Sequence, residues 1–266
     1  MKKLLCLTLL AACLLALPCH ARRVVLEKNT ALVPQGWSVA DEDIKFKKGT
    51  AAELNENGEV VSGVLSGSAY LRPAGWKNVI NDYYYAQTAG PFFPRFFHPP
   101  IRFGVLVPTY GHVLYQKDGM VVFAGDGTVL SGYTGEKVTV SLQEGKYGFV
   151  TFKSGTLLKF DAQGRIVSGL LAADTLLRPD GWQTGAADKT SAGFLKFKKN
   201  KNVSFTPEGL VGSGTLKKET QWRQPDGSLI TLPAGKLVLF SGGRAEAISE
   251  DKTADKGKTE NEAAPE

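Results

Sequence analysis

Six aspartates, Asp118, Asp126, Asp161, Asp174, Asp180 and Asp226, stand in short polar stretches between apolar runs. Two of them meeting across a cleft would supply the proton donor and the base or nucleophile of glycoside hydrolysis. Each also sits where Asp is favoured for hydrogen bonding to nearby backbone, so the pattern predicts turns ahead of catalysis. A carboxylate-dependent hydrolase is therefore the second alternative function and not the first reading. Beyond residue 21 the chain has two histidines, His98 and His112, with no second His or carboxylate at helical or hairpin spacing to complete a metal site. Cys6, Cys13 and Cys19 all precede Arg22, so the later chain holds no thiol nucleophile, thiolate ligand or disulfide. Nucleophile-elbow, phosphate-loop, zinc-helix and calcium-loop patterns are absent from the sequence. These residues point to no catalytic group, cofactor or metal.

Binding chemistry has more candidates. The stretch 77–107 carries Tyr83, Tyr84, Tyr85, Phe92, Phe93, Phe96, Phe97, His98 and Phe103 among Pro91, Pro94, Pro99 and Pro100. Prolines at that density exclude a helix or a central strand and predict an irregular loop with a heavy apolar load. Such a loop is either a plug at one end of the fold or an exposed patch for a partner or peripheral membrane contact. A second set is basic: Lys45, Lys47 and Lys48 match Lys196, Lys198, Lys199 and Lys201 in a later copy of the same pattern, with Lys153 and Lys159 between them. On stacked units these side chains would line one outward face and follow an anionic polymer; lysine on exposed strands also guards against edge pairing. Trp37, Trp76 and Trp182 recur in a third setting, where stacking on sugar rings would make a carbohydrate-binding, lectin-like protein, the first alternative function.

The elements that must position these groups are repeats. An aromatic is followed eight residues later by a large apolar residue, four later by Gly and five later by a second Gly: Phe46, Leu54, Gly58, Gly63; Tyr115, Phe123, Gly127, Gly132; Phe152, Phe160, Gly164, Gly169; Phe197, Phe205, Gly209, Gly214. Segments rich in β-branched and aromatic residues, split by Gly-bearing turns, predict antiparallel hairpins, and Ile44 and Phe46 opposing Lys45 and Lys47 show a period of two. A second motif closes several copies. Leu71-Arg72-Pro73-Ala74-Gly75-Trp76 matches Leu177-Arg178-Pro179-Asp180-Gly181-Trp182, and Leu32-Val33-Pro34-Gln35-Gly36-Trp37 fits the same frame. Pro-x-Gly is a turn, and the following Trp is read most simply as packing over it. The expected fold is all-β, about five tandem units of a four-stranded antiparallel meander in an open or rolled sheet. The alternative is a closed five-bladed, propeller-like ring completed by pairing of the terminal strands. The chain resembles membrane-occupation and other β-hairpin repeats in its general rhythm of Gly-bounded strands. Their specific signatures are not matched, and the resemblance assigns no residue a role.

The ends complete the reading. Met1, Lys2 and Lys3, the apolar run Leu4 to Leu17 and Ala21 before two arginines predict a secretory signal over 1–21, with a lipidated Cys13 as the alternative. Residues 22–248 form the expected β-repeat domain, with the aromatic insertion at 77–107. Residues 249–266, with six acids against three lysines, form an expected disordered charged tail. Without Lys2 and Lys3 the net charge of +6 becomes +4, and setting aside a tail of −3 leaves about +7 on the domain. The expected function is that of an exported, non-enzymatic binding or scaffold component of the bacterial cell envelope, periplasmic or extracellular. Its expected partner is an envelope protein or an anionic or glycan polymer, with no nucleic acid and no membrane span after residue 21.

Overall fold

The computed structural model describes residues 22–38, 44–80, 111–142, 147–187 and 191–248. Eleven strands form one antiparallel sheet, in the order β1 (Arg22–Val25), β4 (Ala51–Leu54), β5 (Val60–Val64), β9 (Met120–Phe123), β10 (Val129–Tyr133), β13 (Leu157–Phe160), β14 (Ile166–Leu170), β17 (Asn202–Phe205), β18 (Val211–Thr215), β21 (Leu237–Ser241) and β22 (Arg244–Ile248). After β1 these are five hairpins, here I to V, laid edge to edge. The chain between hairpins forms short pairs outside the long sheet: β2 (Thr30–Leu32) with β3 (Ile44–Phe46), β6 (Ala69–Leu71) with β8 (Val113–Tyr115), β11 (Val138–Ser141) with β12 (Phe149–Phe152), β15 (Thr175–Leu177) with β16 (Leu195–Phe197), and β19 (Thr220–Arg223) with β20 (Leu229–Leu232). The all-β, five-unit reading is realised, each unit being one long-sheet hairpin and one short pair.

The repeat arithmetic has a packing cause. Phe46, Tyr115, Phe152 and Phe197 end the second strand of their short pairs and are all at most 1% exposed. Each ring lies against the second Gly of its own copy, Gly63, Gly132, Gly169 or Gly214, where a Cβ would overlap the ring. A glycine inside a strand weakens it unless something fills the space, and here the aromatic does. The first Gly of each copy, Gly58, Gly127, Gly164 or Gly209, closes a hairpin turn at φ 78 to 83°, a conformation that costs glycine little. A bulge follows in hairpins I to IV, as at Ser131, where the register shifts after Val129. Phe152 meets Phe205 of the next unit edge-on at 6.4 Å, and Phe197 meets Phe240 at 6.2 Å, so the core runs across unit boundaries. In the fifth unit Leu232, eight residues before Phe240, replaces the aromatic and is equally buried.

The closed ring is not formed. Blades of a propeller pair their strands internally and pack face to face, whereas here neighbouring hairpins bond to each other, β5 to β9, β10 to β13, β14 to β17 and β18 to β21. That edge-to-edge bonding extends one sheet and leaves β1 and β22 at opposite edges. The interruption after the first unit also begins later than residue 77. Trp76–Asn78 makes a turn of 3-10 helix, and β7 (Val79–Ile80) pairs with β11, Ile80 opposite Thr139. Residues 1–21, 249–266 and most of the aromatic insertion, 81–110, lie outside the described residues.

Candidate functional site

The two ends of the long-sheet strands are built differently. At the hairpin-turn end, each Pro-x-Gly-Trp segment ties one hairpin to the next. Val60 of hairpin I donates to Val33 O and accepts from Gln35 N, so Pro34, which has no N–H to give, sits between two satisfied neighbours. Gly36 meanwhile lies directly on the backbone of Gly127, the turn of hairpin II, and Trp37 Nε1 donates to Gly127 O at 2.8 Å. The same arrangement places Pro73 beside Val129 of hairpin II with Gly75 against Gly164 of hairpin III, and Pro179 beside Val211 of hairpin IV with Gly181 against Gly243 of hairpin V. Asp180 adds a bond from Gly242 N at 2.7 Å.

Trp37 closes its latch directly, whereas Trp76 and Trp182 follow the latch glycines in the chain and pack under arginine. Trp37, Trp76 and Trp182 are half-buried. The Arg72 guanidinium covers the Trp76 ring at 4.7 Å, and that of Arg178 stands 4.3 Å from both Trp182 and Phe194. Arginine thus occupies ring faces that a sugar would stack on. Trp222 is fully buried, packs on Phe240 at 5.2 Å and donates to Gly243 O at 2.8 Å.

The opposite end of the strands carries the lysines. There every unit makes a turn whose central residue lies three positions after the aromatic, or after Leu232 in the fifth, with positive φ: Gly49 (72°), Asp118 (63°), Gly155 (73°), Asn200 (57°) and Gly235 (77°). Their amides donate to the carbonyls of Leu26, Leu65, Thr134, Leu171 and Leu216. The sequence already marked Asp118 as a turn residue, and the equal spacing of Gly49, Gly155 and Asn200 after their aromatics carries the same signal.

Register then gathers charges that are far apart in the chain. Lys217 N donates to Lys196 O at 2.7 Å, Lys198 N to Thr215 O at 2.8 Å, and Leu216 N to Lys236 O at 3.3 Å. Lys196, Lys198, Lys199, Lys201, Lys217, Lys218 and Lys236 are all exposed on these adjoining turns and strands. Among the acids, Asp174 touches them directly, Glu219 follows Lys218 in the chain, and exposed Glu246 lies on β22 opposite Leu239. Asp174 accepts Lys199 N at 2.7 Å and pairs with Lys217 at 3.2 Å. Hydrogen bonds from Lys199 and Lys217, with the charges of Lys217 and Lys196, outweigh desolvation and hold its carboxyl below the usual range.

Lys196, Lys198 and Lys199 are thus brought together with Lys217, Lys218 and Lys236, which the linear pattern did not single out. The matching lysines of the first unit are less free: Lys47 pairs with Asp118 at 2.8 Å. Lys153 donates to Asn200 Oδ1 at 3.1 Å. Lys159 lies elsewhere, on the outward face of the long sheet between Ser131 and Ser168. Tyr83, Tyr84, Tyr85, Phe92, Phe93, Phe96, Phe97 and His98 fall outside the described residues.

No family model matches the chain, and no curated protein or solved structure matches it either.

The aspartates behave as turn residues. Asp126 accepts the hydroxyl of Thr128 at 2.6 Å and its amide at 3.0 Å, and those bonds lower its pKa against a smaller desolvation. Asp226 does the same with Ser228. At Asp161 desolvation is outweighed by bonds from the Arg165 amide and guanidinium and by its charge. Among the described residues no group of three or more His, Cys, Asp or Glu is placed to hold a metal. No helix there is long and apolar enough to cross a membrane.

Proposed function

We propose that this is an exported, non-enzymatic binding protein of the bacterial cell envelope, and that it holds an anionic polysaccharide along the lysine ridge of the fourth and fifth units. The observation that carries the reading is the imbalance at that place: seven exposed lysines on adjoining turns and strands against Asp174, Glu219 and Glu246. A row of flexible cations fixed at the strand ends of a rigid sheet follows a repeating polyanion without needing a shaped pocket. The carboxylates support a binding role as well. A general acid for glycoside cleavage needs a raised pKa, whereas Asp126, Asp161 and Asp226 are held low by local donors.

The test is calorimetric titration of polygalacturonate into the wild-type protein and into a variant with Lys196, Lys198, Lys199 and Lys201 changed to Ser, with neutral dextran as control. The account expects binding to polygalacturonate, none to dextran, and a loss of about ten-fold or more in the variant, equivalent to about 1.4 kcal/mol. Unchanged affinity in a variant with a wild-type melting curve would remove the ridge from the function. Cleavage of either polymer would remove the non-enzymatic reading.

A further inference from the structure

We infer that the acidic segment 249–266 docks in cis on the lysine ridge and competes there with external polyanions. The contact follows from geometry and charge; only its competitive effect rests on the function proposed above. β22 ends at Ile248 opposite Leu237, so the chain leaves the long sheet one residue away from Lys236. The exit is thus at the lysine end of the strands and at the edge nearest the ridge. The order β17, β18, β21, β22 puts the turn of Lys198–Lys201 three strands away, about 15 Å at the usual strand spacing. Eighteen residues can span about 60 Å when extended, so every lysine of the ridge is within reach.

Charge supplies the reason to dock. Residues 249–266 hold Glu250, Asp251, Asp255, Glu260, Glu262 and Glu266 against Lys252, Lys256 and Lys258, a net charge of −3, and contain no large apolar side chain. Glu250 and Asp251 come first, next to the exit. Each pairing with an exposed lysine is worth little in isolation. Tethering raises the effective concentration of the segment at the ridge to about the millimolar range, so several weak pairs act together. The other edge offers no such match: β1 there begins with Arg22 and Arg23, ten strands away.

Two readouts on the full chain test this. The first is carbodiimide cross-linking with mass spectrometry at low salt. Bonds from Glu250, Asp251 or Asp255 to Lys198, Lys199, Lys201, Lys217, Lys218 or Lys236 are expected, and they should fade near 1 M salt, where charges are screened within about 3 Å. Cross-links only to Lys252, Lys256 or Lys258 would overturn the contact. The second compares polygalacturonate affinity of the wild type with a variant in which the six acids become Gln or Asn. Affinity is expected to rise about three-fold or more at low salt and to be unchanged at high salt. Equal affinity at low salt would overturn the competition while leaving polymer binding intact. Cross-links to the ridge in a protein that binds no polymer would support the contact and defeat the proposed function instead.

Discussion

The hairpin-turn end and the lysine end of the long sheet are made from the same repeat, yet they tolerate change differently. At the first end, Gly36, Gly75 and Gly181 sit on the backbone of the next hairpin, and tryptophan with arginine covers the joint. At the second, the backbone bonds recur in every unit while the side chains at its turns vary, from Lys47, Lys48 and Gly49 to Lys198, Lys199 and Asn200 to Pro233, Ala234 and Gly235. The packed end holds the units together. The permissive end is free to carry a binding surface, and in this chain it has accumulated lysine in the last two units.

The largest change should come from the contact shared by all four full copies. Gly169→Val places a branched side chain against Phe152 and Leu158. Strand propensity alone would favour Val, but overpacking of this kind costs about 3 kcal/mol. Thermal or urea unfolding decides between them, and a stabilised variant would sink the aromatic-on-glycine account.

Next in size is the latch. Trp76→Ala removes the ring beneath Arg72 and loosens the joint of hairpins II and III, which should cost about 2 kcal/mol. Changing Lys198 and Lys199 to Ser should shift stability by no more than about 0.5 kcal/mol. Equal losses from both variants would erase the distinction between the two ends.

A smaller effect with the opposite sign is expected at Tyr115. Its hydroxyl is buried without a partner where the other three copies have Phe, so Tyr115→Phe should stabilise by about 1 kcal/mol. Burial also raises the pKa of this phenol above its ordinary value of 10.0. The folded state therefore resists ionisation that the unfolded state permits. Its contribution is fully present below pH 10 and is lost above it, by about 1.4 kcal/mol per pH unit. Denaturant midpoints measured from pH 8 to 11 should fall less steeply for the Phe variant than for the wild type.

The smallest effect concerns the turns. The Asp126 carboxyl is held low by Thr128, so it stabilises the fold above the unfolded carboxylate pKa, and that stabilisation is lost as pH falls through its lowered folded value. Asp126→Asn should narrow the gap between midpoints at pH 7 and pH 3; an unaltered gap would mean that the bond is immaterial.

Much of the fold was legible because its packing recurs. Each ring needs its glycine at a fixed separation, and each turn needs a residue that accepts positive φ, so the physical constraint is printed four times in the chain. The sequence favoured the open sheet over the ring without showing what decides between them. The choice depends on which strands of neighbouring units bond, as β5 does to β9, and hydrophobic spacing is the same in both cases. The lysine ridge was half legible. Lys196, Lys198 and Lys199 stood out by their alternation with Leu195 and Phe197. Lys217 and Lys236 belong to other strands and join them only through backbone register. The Pro-x-Gly turns were visible in the sequence, but that they join successive hairpins, as Trp37 reaches Gly127 and Gly75 lies against Gly164, is a long-range contact that spacing does not encode.

The most direct measurement is amide hydrogen exchange of the full chain with and without polygalacturonate. The account predicts added protection at 198–201, 216–219 and 233–236, lost in high salt, with the turns at 35–37, 74–76 and 180–182 unchanged. Protection confined to those tryptophan turns, or none at the lysine end under conditions where the polymer is bound, would contradict it.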